Sequence, residues 1–212
     1  MSFRGILIAN RGEIAIRIAR AAQDLGLRTV AVYSDDDALS LHTQIADEKI
    51  RLEGAGAAAY LNMEGVIAAA KQADCDAIHP GYGFLSEQDA FAQLCTNAGI
   101  KFIGPSAEHL SLFGDKARAR AAAIAAGVPV MPGLDRSVTL AEAQAFYKEH
   151  PDGIMIKALA GGGGRGTRAV TESDQLEALF ERCQSEAKAA FGISDVYVEA
   201  FMPKARHVEV QI

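Results

Sequence analysis

The sequence predicts an α/β chain in which an open, doubly wound parallel-sheet domain is followed by a smaller α+β unit. Three observations predict it. An apolar run, a stretch with helical spacing and a second apolar run open the chain as one βαβ unit. The strands are continuously apolar instead of alternating, as in a parallel sheet covered on both faces. After about residue 113 the pattern changes to strand–loop–strand around glycines, with helices between.

Residues 4–9 (RGILIA) predict the first strand, and Ile14, Ile16, Ala19 and Ala22 then recur near helical spacing up to Gly26. Residues 29–33 (TVAVY) read as the second strand, halted by Ser34-Asp35-Asp36-Asp37. Helices are expected over 63–71 and 89–98, a strand tip at Ala77-Ile78-His79 and a short strand over 101–104, with Pro105 and Gly114 as punctuation. The second part begins with an alanine-rich helix over 115–126, closed by Gly127 and followed by a Pro132-Gly133 turn. A helix over 140–149, a strand over 153–158, a glycine cluster at 161–164 and a short strand near 168–170 come next. A long helix over 173–190 and a strand over 196–199 follow, and 207–212 (HVEVQI) alternates like one more strand. No turn or cap follows that strand, which predicts a cut and not a domain end.

Composition narrows the function. The 212 residues are 50% hydrophobic and 23% charged, enough for a buried core in one or two domains. A net charge of −6 argues against binding to nucleic acid or anionic lipid. No apolar run approaches the roughly 20 residues of a membrane span, and the N-terminus does not read as a secretory signal. Cys75, Cys95 and Cys183 stand far apart and read as small buried hydrophobes, not as metal ligands or a disulfide framework. A reducing cytoplasm suits them.

The strongest local signal is Lys157 followed by Ala160-Gly161-Gly162-Gly163-Gly164-Arg165-Gly166. Successive glycines put many backbone N–H groups on a loop that side chains cannot crowd, and such a loop can fold over polyphosphate. Lys157 and Arg165 would add cations against the same oxygens. The lysine precedes the glycines, so this is not a GxxxxGK[ST] loop. On the glycines alone, a flexible surface hairpin is the alternative reading.

The first βα turn, Asn10-Arg11-Gly12-Glu13, sits where GxGxxG would sit, but it has a single glycine and bulky neighbours. A tightly bound dinucleotide is not expected there. Asp35-Asp36-Asp37 could imitate a ribose-binding acid, and a solvated loop is the preferred reading. The stretch from His79 to Glu87 (HPGYGFLSE) places two glycines and a proline at the carboxyl end of a strand, where open α/β sheets bind ligands. A plain strand-to-helix connector explains it equally well. Ser86 is the expected cap of the following helix, with Asp89 at its third position. Asp115 reads as an N-cap, which leaves Lys116 badly placed for the helix dipole unless it faces an anion. His207, on an alternating strand, is by default structural.

Taken together, Asn10 to Ala15, His79 to Glu87, Phe102-Ile103-Gly104-Pro105, Gly114-Asp115-Lys116, Ile156-Lys157-Ala158 with its glycines, and Arg206-His207-Val208-Glu209 resemble biotin carboxylase, in that family's order and spacing from residue 4 to 212. The resemblance implies a Rossmann-like (pre-ATP-grasp) parallel-sheet domain over 1–113. It also implies a truncated ATP-grasp α+β lid over 114–203 and the start of the ATP-grasp base over 204–212. It implies the reaction of ATP, bicarbonate and biotin on a carrier protein to carboxybiotin, ADP and phosphate. Lys116, Lys157, Gly163, Gly164 and Arg165 would serve the ATP phosphates. Glu199, Ala200, Phe201 and Met202 would form the adenine hinge, His207 would contact the ribose, and Tyr82 and Gly83 would face biotin. Catalytic residues and Mg2+ ligands are expected after Ile212, so the 212-residue chain alone is expected to be inactive. A biotin carboxyl carrier protein or domain, a carboxyltransferase and a homodimeric parent are the implied partners, in the cytoplasm or a mitochondrial matrix. Two departures stand out: Thr167 where the family pattern has methionine, and Ala200 where it commonly has lysine. The competing readings are an ATP-grasp ligase with another small-molecule acceptor and a non-catalytic assembly module.

Overall fold

The computed structural model describes residues 3–134, 136–159, 166–206 and 208, with Lys116 and Ala117 described by backbone only. The chain divides into two compact units, residues 1–114 and residues 115–211.

The first unit is a five-stranded parallel sheet of β1 (Ile6–Ile8), β2 (Thr29–Tyr33), β3 (Glu48–Arg51), β4 (Ala77–His79) and β5 (Lys101–Phe102), in the order β3-β2-β1-β4-β5. Helix α1 (Gly12–Asp24) turns Ala15, Ile18, Ala19 and Ala22 inward, and Ile6 and Ile8 meet it from one face of the sheet. Leu7, Val30, Val32 and Ile78 face the opposite way. There they pack with α4 (Met63–Gln72) and α5 (Asp89–Asn97) through Val66, Ile67 and Phe91. Strand residues alternate faces, so continuously apolar strands are buried on both sides, as the sequence predicts. Burying each such Leu, Ile or Phe contributes on the order of 2 kcal/mol.

Short helices complete the unit: α2 (His42–Ile45), α3 (Gly56–Tyr60) and α6 (Ala107–Gly114). None was expected from the sequence. Neither was β3, whose residues (EKIR) are largely exposed at the sheet edge and pair with β2 through the backbone. Three expectations are corrected. Ser86 does not cap α5: the helix begins after Gln88, because the chain turns at Gly83 and the Ser86 N–H is held by the Gly83 carbonyl at 2.9 Å. Asp35–Asp37 is exposed at Asp35 and Asp36, as a solvated loop would be, but it forms a 3-10 turn in which Asp37 is half-buried and bonded. Pro132-Gly133 is not simply a turn, since Gly133–Leu134 forms β6 against the last strand.

The second unit begins with α7 (Lys116–Ala125). Asp115 caps it as expected, accepting the Arg118 N–H at 3.0 Å. The unit's sheet is antiparallel, in the order β6-β9-β7-β8, with β7 (Ile154–Ala158), β8 (Thr167–Val170) and β9 (Val196–Ala200). Helices α8 (Leu140–Lys148) and α9 (Leu176–Phe191) supply Ala143, Phe146, Phe180 and Cys183 to a core shared with Ile154, Ile156, Val196 and Val198. A capping box starts α8: Thr139 accepts the Glu142 N–H, and Glu142 accepts the Thr139 N–H. No helix among the described residues is long and apolar enough to cross a membrane. All three cysteines are buried, and burial pushes each thiol up to about 11, so they are inert packing groups.

Candidate functional site

Two clusters of polar groups stand out, one in each unit. In the first unit the strand order reverses between β1 and β4, the place where open α/β sheets leave a crevice beyond the carboxyl ends of their strands. The turn after β1 carries Asn10 and Arg11, the first turn of α1 carries Glu13, and the loop after β4 carries Pro80, Gly81, Tyr82, Gly83 and Phe84. The structure brings these two segments together. Asn10 is buried and donates through Nδ2 to the carbonyls of Pro80 and Tyr82, at 2.7 and 2.8 Å. Its Oδ1 accepts the Arg11 N–H at 2.8 Å. The Tyr82 hydroxyl donates to Glu13 Oε1 at 2.6 Å, which raises the phenol's pKa and leaves a ring that is 61% exposed. His79 Nδ1 accepts the Gly81 N–H at 3.0 Å, and burial holds its pKa below the ordinary value. That histidine is therefore neutral, with its proton on Nε2.

Arg11 bonds Asp37 at 3.0 Å and lies over the rings of Tyr60 and Phe84, 5.6 and 5.8 Å from their centroids. Asp37 is the hub of the acidic turn. Burial opposes its charge, but hydrogen bonds from Arg11, Ser40 and Tyr60 prevail and lower its carboxyl to about 2. Asp35 pairs with Arg51, and Asp36 accepts the Gly56 N–H at 2.8 Å. The acid that would hold a dinucleotide's ribose is thus already paired, and the βα turn is filled by Arg11.

In the second unit, Lys157 stands one residue before the end of β7, and its ammonium is ion-paired with Glu199 of β9. Thr167, the departure from the family pattern, is the direct cross-strand partner of Lys157. The Ala158 N–H bonds the Gly166 carbonyl at 2.9 Å, which extends the antiparallel pairing of β7 with β8 by one residue at that end. The end of β9 and the residue after it are also anchored: Ala200 N–H donates to the Pro132 carbonyl at 2.8 Å and Phe201 N–H to the Gly153 carbonyl at 3.0 Å. Those two N–H groups are engaged within the unit, while the Met202 side chain is exposed. Gly153 supports this anchor at φ +102°, where an added Cβ would lie 2.3 Å from the Val170 carbonyl oxygen.

The structure therefore brings Lys157, Glu199 and Ala200 onto neighbouring strands, with Phe201 directly after β9, and it brings Tyr82 against Asn10 and Glu13, with Gly83 next to it in the loop. The Lys116 side chain, Gly163, Gly164, Arg165 and His207 lie outside the described residues, as does most of the expected strand over 207–212. Sequence reasoning missed Asn10 and Glu13 as partners of the His79–Glu87 segment. They lie about seventy positions away in the chain, and no local pattern links them.

A parallel-sheet domain with ligand loops at its switch point, followed by a glycine-bearing antiparallel unit, is the architecture of an ATP-grasp protein with its preceding domain. The family described as biotin carboxylase, N-terminal domain, matches residues 2–110. The carbamoyl-phosphate synthase L chain ATP-binding domain family matches residues 115–212. The chain belongs to the biotin carboxylase family. It is 52% identical over 210 residues to a pyruvate carboxylase of Staphylococcus aureus, covering 98% of this chain and 18% of that protein. It is 49% identical over 214 residues to a biotin carboxylase of Nostoc, covering 100% of this chain and 48% of that one. Among solved structures, the biotin carboxylase–β,γ-ATP complex from Campylobacter jejuni matches with TM-score 0.85 at 43% identity, over 95% of this chain and 46% of that one. The biotin carboxylase domain dimer of Hydrogenobacter thermophilus 2-oxoglutarate carboxylase, with MgADP, ADP and bicarbonate, matches with TM-score 0.82 at 40% identity, over 96% and 45%. The chain thus spans about half or less of the relatives it matches.

Proposed function

We propose that this chain is the front, ATP-contacting part of a biotin carboxylase, which uses ATP and bicarbonate to carboxylate biotin on a carrier protein. The observation that carries the proposal is Lys157: a cation at the end of a sheet strand, beside a glycine-rich connection, in a segment matching an ATP-binding family. Two relatives of the same fold, one in a β,γ-ATP complex and one with MgADP and bicarbonate, support it.

In this reading residues 1–113 form the pre-ATP-grasp domain, 114–203 the lid, and 204–212 the start of the base. Lys116, Lys157 and Arg165 supply positive charge to the ATP phosphates, and Gly163 and Gly164 close over them with backbone N–H groups. Glu199 to Met202 line the adenine, and His207 meets the ribose. Fixed cations and backbone donors of this kind stabilise the charge that develops as bicarbonate attacks the γ-phosphate to give carboxyphosphate. Tyr82 and Gly83 lie on the biotin side. Among the described residues no group of three or more His, Cys, Asp or Glu is placed to hold a metal ion, so no step is assigned through Mg2+ on this chain. A biotin carrier, a carboxyltransferase and a second copy of the full-length protein are the partners, in the cytoplasm or the mitochondrial matrix.

The test is ATP- and bicarbonate-dependent formation of carboxybiotin by the chain carried on to full carboxylase length. Activity is expected there, with kcat/KM for ATP falling on the order of a hundredfold in Lys157→Ala, as expected for removal of a cation from a phosphate site. Residues 1–212 alone are expected to show none. Absence of carboxybiotin from the full-length protein would remove the proposal.

A further inference from the structure

The turn after β1 is built in more detail than a strand-to-helix connection needs. We infer that Asn10 and Glu13 are positioning residues for the biotin-side loop: together they clamp residues 80–84 so that Tyr82 and Gly83 are fixed before biotin arrives. The inference rests on the reading of Tyr82 and Gly83 as biotin contacts.

Three observations carry it. The first is the Asn10 amide, which is 2% exposed and engaged through both N–H groups and its oxygen. Its two N–H bonds meet two carbonyls, of Pro80 and Tyr82, and its oxygen meets an N–H, of Arg11. Carbonyls only accept, so the orientation of the amide is determined, and neither aspartate nor leucine reproduces it. The second is the closeness of the loop. Gly81 sits at φ +66°, and a Cβ there would lie 2.7 Å from Asn10 Nδ2, so the loop backbone is pressed onto the amide as only glycine permits. The third is Phe84 at φ +44°, a conformation that costs a bulky residue free energy and persists only where its surroundings enforce it. Here the enforcement comes from α3 and from the same turn: Phe84 stacks on Tyr60 of α3 at 5.2 Å, and Arg11 of the turn lies over both rings.

The Glu13 contact separates positioning from mere stability. Its hydrogen bond to Tyr82 is solvent-exposed and competes with water, so it adds little to folding. What it does is restrict a mostly exposed phenol to one orientation. Asn10 sets the loop backbone and Glu13 sets the side chain that the loop presents.

The test uses the full-length carboxylase with free biotin as acceptor, comparing Asn10→Asp, Glu13→Ala and, as reference, Tyr82→Ala. The expected result is a KM for biotin raised on the order of tenfold or more in Asn10→Asp and several-fold in Glu13→Ala, with KM for ATP unchanged in both. In Asn10→Asp the biotin KM is also expected to recover as pH falls, because a protonated carboxyl can again donate to one of the two carbonyls. A purely structural residue would show neither the split between substrates nor the acid rescue. Should Tyr82→Ala raise the biotin KM while Glu13→Ala and Asn10→Asp leave it alone, the clamp is wrong and the biotin-side reading stands. Should Tyr82→Ala also leave it unchanged, that reading fails and the clamp fails with it. Glu13 is a surface residue in the first turn of α1, so its variant decides the matter even if Asn10→Asp does not fold.

Discussion

The loop cluster of the parallel-sheet unit and the strand pair of the antiparallel unit hold their polar groups by different means. Around Asn10 the bonds are short, wholly or partly buried and between neutral groups, and two of them join segments about seventy residues apart. Around Lys157 the chief contact is an ion pair between two partly exposed side chains, 30% and 19% accessible, on neighbouring strands. Neutral amide–carbonyl bonds tolerate burial, whereas an ion pair keeps its charges available to a stronger partner. The comparison teaches that the first region is organised in advance of any ligand. The second keeps a cation balanced by a carboxylate, next to a glycine-rich connection.

The largest effect is expected where the second region depends on backbone geometry. Gly153 at φ +102° both approaches the Val170 carbonyl and accepts the Phe201 N–H. Gly153→Ala is expected to destabilise the antiparallel unit by about 3 kcal/mol or more, because strain and a backbone clash add together. Urea unfolding with probes in each unit checks this, and an unchanged midpoint for the antiparallel unit would break the comparison.

A smaller effect belongs to the first region. The bonds to Asp37 lower its carboxyl from 3.8 to about 2 in the folded chain. Its stabilisation is complete above about pH 4 and is lost as pH falls through about 2; the difference corresponds to roughly 2 kcal/mol. Asp37→Asn is expected to lose that amount at pH 7 and to flatten the acid limb of the stability curve between pH 4 and 2. Urea midpoints measured across that range check it.

The architecture was legible where burial leaves a one-dimensional trace. Continuous apolar strands such as Thr29–Tyr33, the helical spacing of α1 and the Asp115 cap are local patterns, and the structure contains each. Strand β3 left no such trace, because its exposed residues pair only through their backbone. Asp37 read as solvated because its partners Arg11 and Tyr60 lie 26 and 23 positions away. Ser86 satisfied the composition of a cap, but the positive-φ turn from Gly81 to Phe84 moved the helix start beyond it. Of the candidate site, Lys157 and its glycines were legible as chemistry. The hinge role proposed for 199–202 rests only on resemblance, and the contacts of Asn10 and Glu13 are tertiary.

The most direct measurement is a calorimetric titration of ATP into the full-length carboxylase, carried out in parallel on the wild type, Lys157→Ala and Asn10→Asp. The two regions are assigned to different substrates, so ATP affinity is predicted to fall on the order of tenfold or more in Lys157→Ala and to stay within about twofold of wild type in Asn10→Asp. Equal loss in both, or undiminished ATP binding by Lys157→Ala, would contradict the account.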